Sequence, residues 1–244
     1  MSDERRSGLL FGAGAYIWWG LCPGFFLLLR PATASEMLAH RFVWSAVFLL
    51  VLLAAVRRLG DLRRLSARTS FQLLAASAFI AINWGTYIWA VTHGHVVDAA
   101  LGYFINPLVT VALGVVIFRE RLNRWQLVAL ILAVAAVAIL TAEVGEVSYV
   151  ALVLAFSFGI YGLVKKVVDA DPRVSVAVET LWALPVAVGY MSWLELSHQA
   201  HFVNYGLGHT ALLVLAGPVT AIPLLLFAAA AQRLPMVTLG LLFY

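Results

Sequence analysis

Eight long apolar runs, separated by short polar connections, constrain this chain more than any other feature of its sequence. Each run is close to the roughly 20 residues that an α-helix needs to cross a hydrocarbon core about 30 Å thick. None alternates in polarity over about ten residues, as transmembrane β-strands do. We therefore predict an all-α integral membrane protein with spans near 8–29, 36–56, 71–91, 97–118, 124–142, 147–164, 176–195 and 209–231. A ninth apolar segment begins at Pro235 and continues to Tyr244.

The composition also favours a membrane protein. Of the 244 residues, 63% are apolar and 11% are charged, and the mean hydropathy is +0.95. Soluble domains are about half apolar and about a quarter charged. The lipid bilayer is therefore the expected partner of most of the protein surface. The single cysteine, Cys22, excludes an internal disulfide.

The basic residues indicate the orientation. The sequence pI is near 9.5, and all 16 Lys and Arg residues except Arg30 and Arg41 fall in alternate connections, beginning with the N-terminus. Basic connections stay on the cytoplasmic side of a membrane. The sequence thus predicts a multi-pass protein of the bacterial inner membrane with a cytoplasmic N-terminus. Topology accounts for the high pI, so we expect no nucleic-acid partner.

A weak internal repeat relates the two parts of the chain. "AALGYFINP" resembles "VTLGLLFY", and their glycines, Gly102 and Gly240, lie 138 positions apart. "YIWWGL" resembles "FGIYGL", and Gly20 and Gly162 lie 142 positions apart. The period contains five spans, an odd number, so the two copies must cross the membrane in opposite directions. Inverted repeats are typical of secondary transporters, whose binding sites lie near the bilayer midplane.

We assign residues 1–142 to the first repeat and 143–244 to an incomplete second repeat. A complete second repeat needs a tenth span. The ten residues from Pro235 to Tyr244 make a helix of about 15 Å at 1.5 Å per residue, half of a bilayer. We expect the chain to be about one and a half spans short, either as a shortened form or as an incomplete sequence.

Several stretches resemble one transporter family. They are "EMLAHRFVWS", "INWGTYIWAV", "ALGYFINPLVTVALG" with "ERLNRWQ", "LAFSFGIYGLVKK" and "ETLWALP". Together they are similar to the RarD-like proteins of the EamA group, in the drug/metabolite transporter superfamily, from about Gly8 to Tyr244. The resemblance implies the ten-helix architecture of two inverted five-helix repeats, here truncated within helix nine. It also implies an inner-membrane carrier whose central cavity takes small metabolites.

Three ionisable residues, Glu36, His40 and Arg41, stand in the first third of the second span. Glu36 and His40 are four positions apart and share a helix face. We predict that Arg41 lines a polar cavity and attracts an anionic or zwitterionic group of the substrate. The alternative is that its side chain snorkels to the interface or binds carbonyls of a neighbouring helix. His40 can titrate near neutral pH and is one of two candidates for proton coupling.

Glu179, in the seventh span, is the other candidate for proton coupling. The repeat aligns it roughly with His40. A carboxylate inside a membrane is costly unless it is paired or protonated, and desolvation favours the protonated form. Glu179 can therefore bind and release a proton during transport. The alternative is a structural bond to a helix end or to a basic residue of a connection.

The third and fourth spans contain the remaining predicted substrate-binding residues. Asn83 and Tyr87 share one face of the third span, and Tyr103 and Asn106 share one face of the fourth. Pro107 cannot donate to the carbonyl of Tyr103, which leaves a polar group at a kink. The alternative is a kink used for packing, with Asn106 bonded between helices. With Arg41, the predicted set is Asn83, Trp84, Tyr87, Trp89, Gly102, Tyr103, Asn106 and Pro107.

Five of the six histidines fall in the outward connections, where "ELSHQAH" and "THGH" stand out. A zinc site needs three or four converging ligands, and residues three and six positions apart lie on drifting faces. We expect polar connection residues rather than a metal site. There is also no Gly-rich phosphate loop followed by Lys, so we expect no bound cofactor and no ATP-driven pump.

We predict a secondary transporter, and not an enzyme, that exports small metabolites or drug-like molecules by alternating access with proton coupling. Two alternatives remain: a membrane-embedded enzyme that uses the outward histidines, and a non-transporting membrane assembly subunit. The inverted repeat argues against both, because neither needs pseudo-symmetry. The sequence identifies neither the substrate nor the direction of transport, and it leaves a homodimer open.

Overall fold

The computed structural model describes residues 3–144 and 148–244, and all of the regular secondary structure in these residues is helical. The α-helices are α1 (Asp3–Leu27), α2 (Ala34–Ala55), α3 (Ala67–Thr92), α4 (Val96–Phe118), α5 (Arg124–Val144), α6 (Tyr149–Val167), α7 (Pro172–Leu196), α8 (Gly206–Arg233) and α9 (Met236–Leu241). A short 3-10 helix, Leu59–Arg63, lies between α2 and α3.

Within the described residues, α1 to α8 are each long and apolar enough to cross a membrane. This agrees with the predicted all-α membrane fold and with its eight spans. The helices extend a few residues beyond several of the predicted spans. α1 begins at Asp3 rather than near residue 8, because Asp3 and Glu4 lie in its first turn, where acidic side chains stabilise a helix.

The described helices form two compact units. Unit 1 comprises the described parts of Met1–Ala13, Ala78–Val167 and Ala229–Tyr244. Unit 2 comprises Gly14–Ser77 and Val168–Ala228. Each unit contains residues from both predicted repeats, so the units do not coincide with them. The division into repeats 1–142 and 143–244, the ten-helix inverted architecture and the truncation within helix nine stay predictions.

In unit 1, α4 packs against α6 and α9, and α5 contacts α4 and α9. A small apolar cluster of Ala90, Ala99, Val150 and Leu154 joins α3, α4 and α6. The carboxylate of Glu120 follows α4 and accepts hydrogen bonds from the backbone N–H groups of Met236 and Val237, at 2.8 Å each. This carboxylate satisfies free donors at the start of α9.

In unit 2, α2 packs against α7. α2 also contacts α8, where Ser45 Oγ donates to the carbonyl oxygen of Gly217 at 2.9 Å. A Cβ atom on Gly217 would collide with the backbone of Trp44, so glycine lets the two helices approach closely. Trp18 on α1 donates its indole N–H to the carbonyl of Val219 at 3.0 Å. These contacts hold the buried polar residues of α2 in place.

Candidate functional site

Two buried asparagines of unit 1 bind the same helix, α6. Asn83 on α3 donates its side-chain amide to the carbonyl oxygen of Leu154 at 2.9 Å and to Ser157 Oγ at 3.0 Å. Asn106 on α4 donates to the carbonyl oxygen of Ala155 at 2.9 Å. The side chains are buried, at 0% and 2% exposure. In this conformation both amides hold helices together, and their role in substrate binding stays a prediction.

The side-chain carbonyl of Asn83 has a different environment. Its oxygen, Oδ1, is buried and has no hydrogen-bond partner in the part of the chain that the structure describes. The amide cannot be turned around, because Oδ1 would then face the carbonyl oxygen of Leu154 instead of the NH₂ group. An unpaired buried polar group costs about 1–3 kcal/mol. A hydrogen-bond donor reaching this oxygen would therefore stabilise the protein.

Gly102 and Pro107 shape α4 where it contacts α6. A Cβ atom on Gly102 would lie 2.9 Å from the carbonyl oxygen of Ala151, so this glycine allows close helix packing. Pro107 is buried inside α4 and cannot donate to the carbonyl of Tyr103. Both residues therefore have a structural use, and the structure does not test whether they also contact substrate.

The predicted aromatic residues of unit 1 differ in exposure. Trp84 is buried at 8% exposure, whereas Tyr87 and Trp89 are exposed at 38% and 37%. The rings of Tyr87 and Tyr103 meet edge to face, with centroids 5.7 Å apart. Trp89 stacks on His93, with centroids 4.8 Å apart. Tyr87, Trp89 and the half-buried Tyr103 are thus the less buried aromatic members of the predicted set in unit 1, and their contact with substrate stays a prediction.

In unit 2, Arg41 and His40 contact different neighbours. Arg41 is half-buried; its Nε donates to Thr220 Oγ1 on α8 at 2.8 Å, and its guanidinium lies 4.7 Å from the ring centroid of Phe26. His40 is buried at 1% exposure. Its Nδ1 accepts a hydrogen bond from Trp44 Nε1 at 3.1 Å. Because an indole N–H only donates, Nδ1 carries no proton in this arrangement, and the imidazole is neutral with its proton on Nε2.

Glu36 has a partner that the sequence analysis missed. Its buried carboxylate accepts from the backbone N–H of His201 at 2.6 Å and pairs with His201 Nδ1 at 2.7 Å. Thr33 caps α2, and its hydroxyl accepts from the N–H of Glu36. This Thr-x-x-Glu spacing is that of a capping box, in which the Glu returns to the N-cap N–H. Here the carboxylate binds a residue 165 positions away instead.

Two other ionisable side chains are buried inside helices. Glu179 on α7 is 2% exposed and Lys165 on α6 is 0% exposed. Lys165 Nζ lies 5.8 Å from the ring centroid of Tyr161. The sequence analysis singled out Glu179 but not Lys165, because the pair Lys165–Lys166 at the end of α6 has the pattern of a basic cytoplasmic connection. Lys166 Nζ donates to the carbonyl of Leu234, a buried residue directly after α8, at 2.6 Å.

A cavity of about 620 Å³ lies beside the Glu36–His201 pair in unit 2. His201 and Tyr205 line it from the connection between α7 and α8, and Tyr190 and Trp193 line it from α7. A second cavity, of about 440 Å³, lies in unit 1 next to Glu120. Aromatic and polar side chains thus surround an accessible space at His201, the partner of the buried Glu36.

Two histidines that were assigned to the outward connections bind other segments of the protein. His201 pairs with Glu36, and His209 Nε2 donates to the carbonyl of Leu29 at 3.0 Å. Within residues 3–144 and 148–244, no three His, Cys, Asp or Glu side chains are grouped so that they could hold a metal ion.

Comparison with known proteins identifies the family. The pattern of the EamA-like transporter family matches residues 6–142. The chain belongs to this family. This EamA protein is 49% identical over 245 residues to Protein RarD of Streptomyces exfoliatus, which covers 99% of this chain and 78% of the relative. It is 41% identical over 245 residues to Protein RarD of Salmonella typhimurium (strain LT2), covering 100% of this chain and 83% of the relative.

A third relative is named as a transporter. The uncharacterized transporter YojE of Bacillus subtilis (strain 168) is 44% identical over 246 residues, covering 99% of this chain and 82% of the relative. These comparisons confirm the resemblance to RarD-like EamA proteins. With its eight apolar helices in the described residues, this EamA protein is a multi-pass membrane protein of a transporter family.

Proposed function

We propose that this EamA protein is a secondary transporter of the bacterial inner membrane that exports small metabolites or drug-like molecules by alternating access, coupled to protons. Its family and the transporter name of its Bacillus subtilis relative support transport. The alternation of basic connections supports an inner-membrane location with a cytoplasmic N-terminus.

The hydrogen bond between Trp44 and His40 carries the proposed proton coupling. His40 Nδ1 can accept from the indole only while it holds no proton. Protonation at Nδ1 therefore requires that the two side chains separate. A proton on His40 would thus change the local packing around these two side chains of α2, as protonation of histidines does in other switches.

The packing of α2 against α7 also supports proton coupling, because buried ionisable side chains lie on both helices. Glu36 and His40 on α2 and Glu179 on α7 are each at most 2% exposed, and the two helices pack together within unit 2. Ionisable residues inside membrane spans are costly and usually functional. In this proposal His40 is the first candidate for the coupling residue and Glu179 the second.

The helix pairs also support the proposed inverted repeat. If α1 to α5 correspond in order to the helices that begin with α6, α2 corresponds to α7 and α4 corresponds to α9. The two-fold axis of such a repeat would exchange the two members of each pair, and helices next to the axis contact their counterparts. α2 does pack against α7 in unit 2, and α4 packs against α9 in unit 1.

The proposed substrate-binding residues remain those of the sequence analysis. Within unit 2, Arg41 would attract an anionic or zwitterionic group of the substrate. Within unit 1, the amides of Asn83 and Asn106 donate to acceptors on α6, so we assign their substrate contacts to another state of the transport cycle.

Transport assays test the proposal directly. A thermal-stability screen of the purified protein over amino acids, nucleosides and amphenicols first selects a ligand. Its flux is then measured in proteoliposomes with and without an imposed pH gradient. We expect the gradient to drive flux in the natural protein. In His40→Gln, which can still accept from Trp44 but cannot titrate, we expect substrate exchange without a response to the gradient.

A matched control accompanies this assay. Glu195→Gln alters an exposed carboxylate on the same helix as Glu179. It should behave like the natural protein. Flux in the natural protein that ignores the gradient would refute the coupling, and loss of gradient response in Glu179→Gln alone would move it from His40 to Glu179.

A further inference from the structure

The connection between α7 and α8, residues 197–205, covers His40 in unit 2. Phe202 at its centre packs on the imidazole of His40, with ring centroids 4.8 Å apart, and on Trp44, with centroids 6.0 Å apart. Phe202 also packs against the buried cluster that contains Leu29 and Leu213. Because His40 is only 1% exposed, water cannot reach it while Phe202 stays in place.

The hydrogen-bonded pair Glu36–His201 joins this connection to α2. Both carboxylate oxygens of Glu36 are used, one by the backbone N–H and one by the imidazole of His201, at 2.6 and 2.7 Å. His201 is the residue directly before Phe202. A break in this pair would therefore release the residue that holds Phe202 on His40. The His201 side chain is 21% exposed and lines the cavity of about 620 Å³. Water and protons can therefore reach the His201 side of the Glu36–His201 pair.

The rest of the connection is held less firmly. Val203, next to Phe202, has a φ of +67°, which is unfavourable for a β-branched residue. Its N–H donates to Thr210 Oγ1 at 3.2 Å, and its side chain is exposed. Asn204 Nδ2 donates to the carbonyl oxygen of Ala200 at 2.9 Å, but this bond lies within the connection. The segment is joined to α2 through His201, which binds Glu36, and through Phe202, which packs on His40.

We infer that the α7–α8 connection is a movable cover over His40, fastened by the Glu36–His201 pair and sealed by Phe202, and that it controls proton access to His40. Glu36, His201 and Phe202 are thus positioning residues that act through His40. The inference rests on the proposed proton coupling for its role in transport. It does not depend on that coupling for the cover itself.

Other titratable groups around His40 belong to the same arrangement. Glu36 and His209 act electrostatically on His40, and Arg41 follows it on α2. His209 is anchored through Nε2 to the carbonyl of Leu29, and its ring lies 5.8 Å from that of Tyr205. Tyr205 in turn lies 5.2 Å from the ring of His201. These contacts connect the cover to the groups that surround His40.

Thiol labelling tests the cover without any transport assay. In a Cys22→Ala background, His40→Cys places a reporter thiol under Phe202, and a charged thiol reagent is applied to the protein in lipid nanodiscs. We expect slow labelling while the cover is intact. Adding Glu36→Ala or Phe202→Ala should raise the labelling rate at least 10-fold, whereas Phe202→Leu, which keeps an apolar side chain in place, should keep it low.

Two controls separate opening of the cover from general unfolding. Gln199→Ala changes an exposed residue of the same connection and should leave the rate unchanged. A second reporter, Leu53→Cys, lies fully buried near the other end of α2 and should stay slow in every variant. Fast labelling at position 53 in Glu36→Ala or Phe202→Ala would show unfolding and would overturn the assignment of a local cover.

The inference is also overturned if position 40 is labelled quickly with the cover intact, or if both alanine variants leave its rate unchanged. The role in transport has its own readout. In Phe202→Ala, flux should lose its response to the pH gradient while the exchange of labelled substrate continues. If the natural protein itself ignores the gradient, the proposed coupling fails, but the labelling result still decides whether the cover exists.

Discussion

Gly102 on α4 faces Ala151 on α6 so closely that a Cβ atom on the glycine would lie 2.9 Å from the carbonyl oxygen of Ala151. The same Cβ would lie 2.9 Å from the Cβ of Leu154. Neither neighbour can move easily, since one is backbone and the other is the first atom of a buried side chain. Contact of this kind lets membrane helices pack without a large apolar side chain between them.

Gly102→Ala should therefore destabilise the protein. The added methyl group must push α4 away from α6, which costs about 1–3 kcal/mol for overpacked sites. Thermal unfolding in detergent measures the loss. Gly85→Ala on α3 is the control, because a Cβ there meets nothing within 4 Å, and alanine favours a helix by about 1 kcal/mol. Equal stability of Gly102→Ala and the natural protein would contradict the close contact.

Asn83→Asp should destabilise the protein more than Asn83→Ala does. The natural amide donates to Leu154 and Ser157, and an ionised carboxylate would place an acceptor against the carbonyl of Leu154. Loss of the amide in the alanine variant should cost about 0.6–1.7 kcal/mol, as for other hydrogen bonds between membrane helices. The buried charge of the aspartate should cost several kcal/mol.

Chemical denaturation of both Asn83 variants over a range of pH checks this order. A protonated aspartate can donate, so the gap between the two variants should narrow as the pH falls. An aspartate variant that is as stable as the alanine variant at neutral pH would show that Asn83 does not donate to α6.

Asp171 should contribute stability that depends on pH. It caps α7 by accepting from the N–H of Arg173 and pairs with the side chains of Arg173 and Arg58. The hydrogen bond from the Arg173 side chain is the main cause that holds the pKa of this carboxyl below its usual value of 3.8. Because the folded-state pKa is the lower one, the contribution is present above the unfolded-state pKa and disappears as the pH falls through the folded-state value.

Asp171→Asn isolates this contribution, because asparagine caps a helix about as well as aspartate does. At neutral pH the variant should be less stable by about 0.5–1 kcal/mol, which is the scale of partly exposed ion pairs. The difference should shrink as the pH falls below the unfolded-state pKa and vanish once the pH is below the folded-state pKa. Asp61→Asn is the control, because Asp61 is 37% exposed and its ion pairs are 3.9 Å long. A constant difference at every pH would contradict the linkage.

Glu120→Gln should loosen the start of α9. Both carboxylate oxygens accept from backbone N–H groups, those of Met236 and Val237, and a glutamine can replace only one of these acceptors. A hydrogen bond to a charged group contributes about 1.5–3 kcal/mol, so amide exchange at Met236 or Val237 should accelerate by about 10-fold to 100-fold.

Hydrogen–deuterium exchange of the segment from Leu234 to Gly240 measures this effect. Glu4→Gln is the matched control, because Glu4 lines the same cavity and should leave the exchange of both amides unchanged. Unchanged exchange in Glu120→Gln would show that the carboxylate does not cap α9.

Local patterns in the sequence were enough to predict where the helices lie. The run around Ala99 to Pro107 predicts a membrane span, and α4 contains this run, with Asn106 buried against α6. The kink at Pro107 stays a prediction. The family motifs were recognised for the same reason, because they are continuous stretches. The acceptors of Asn83 and Asn106 were not predicted, since they belong to a helix about 50–70 positions away and helical periodicity does not extend across connections.

Glu36 shows the same limit most clearly. Its position in the second span and its capping-box spacing from Thr33 are visible in the sequence, but its partner His201 is not. Composition and hydrophobic length by themselves determined that this chain forms membrane helices. Lipid offers no hydrogen-bond partners to the backbone, so each span must pair its own N–H and C=O groups, as an α-helix does. Only the tertiary structure decided which buried polar groups meet, because those pairings depend on how the helices pack and not on the order of residues within any one of them.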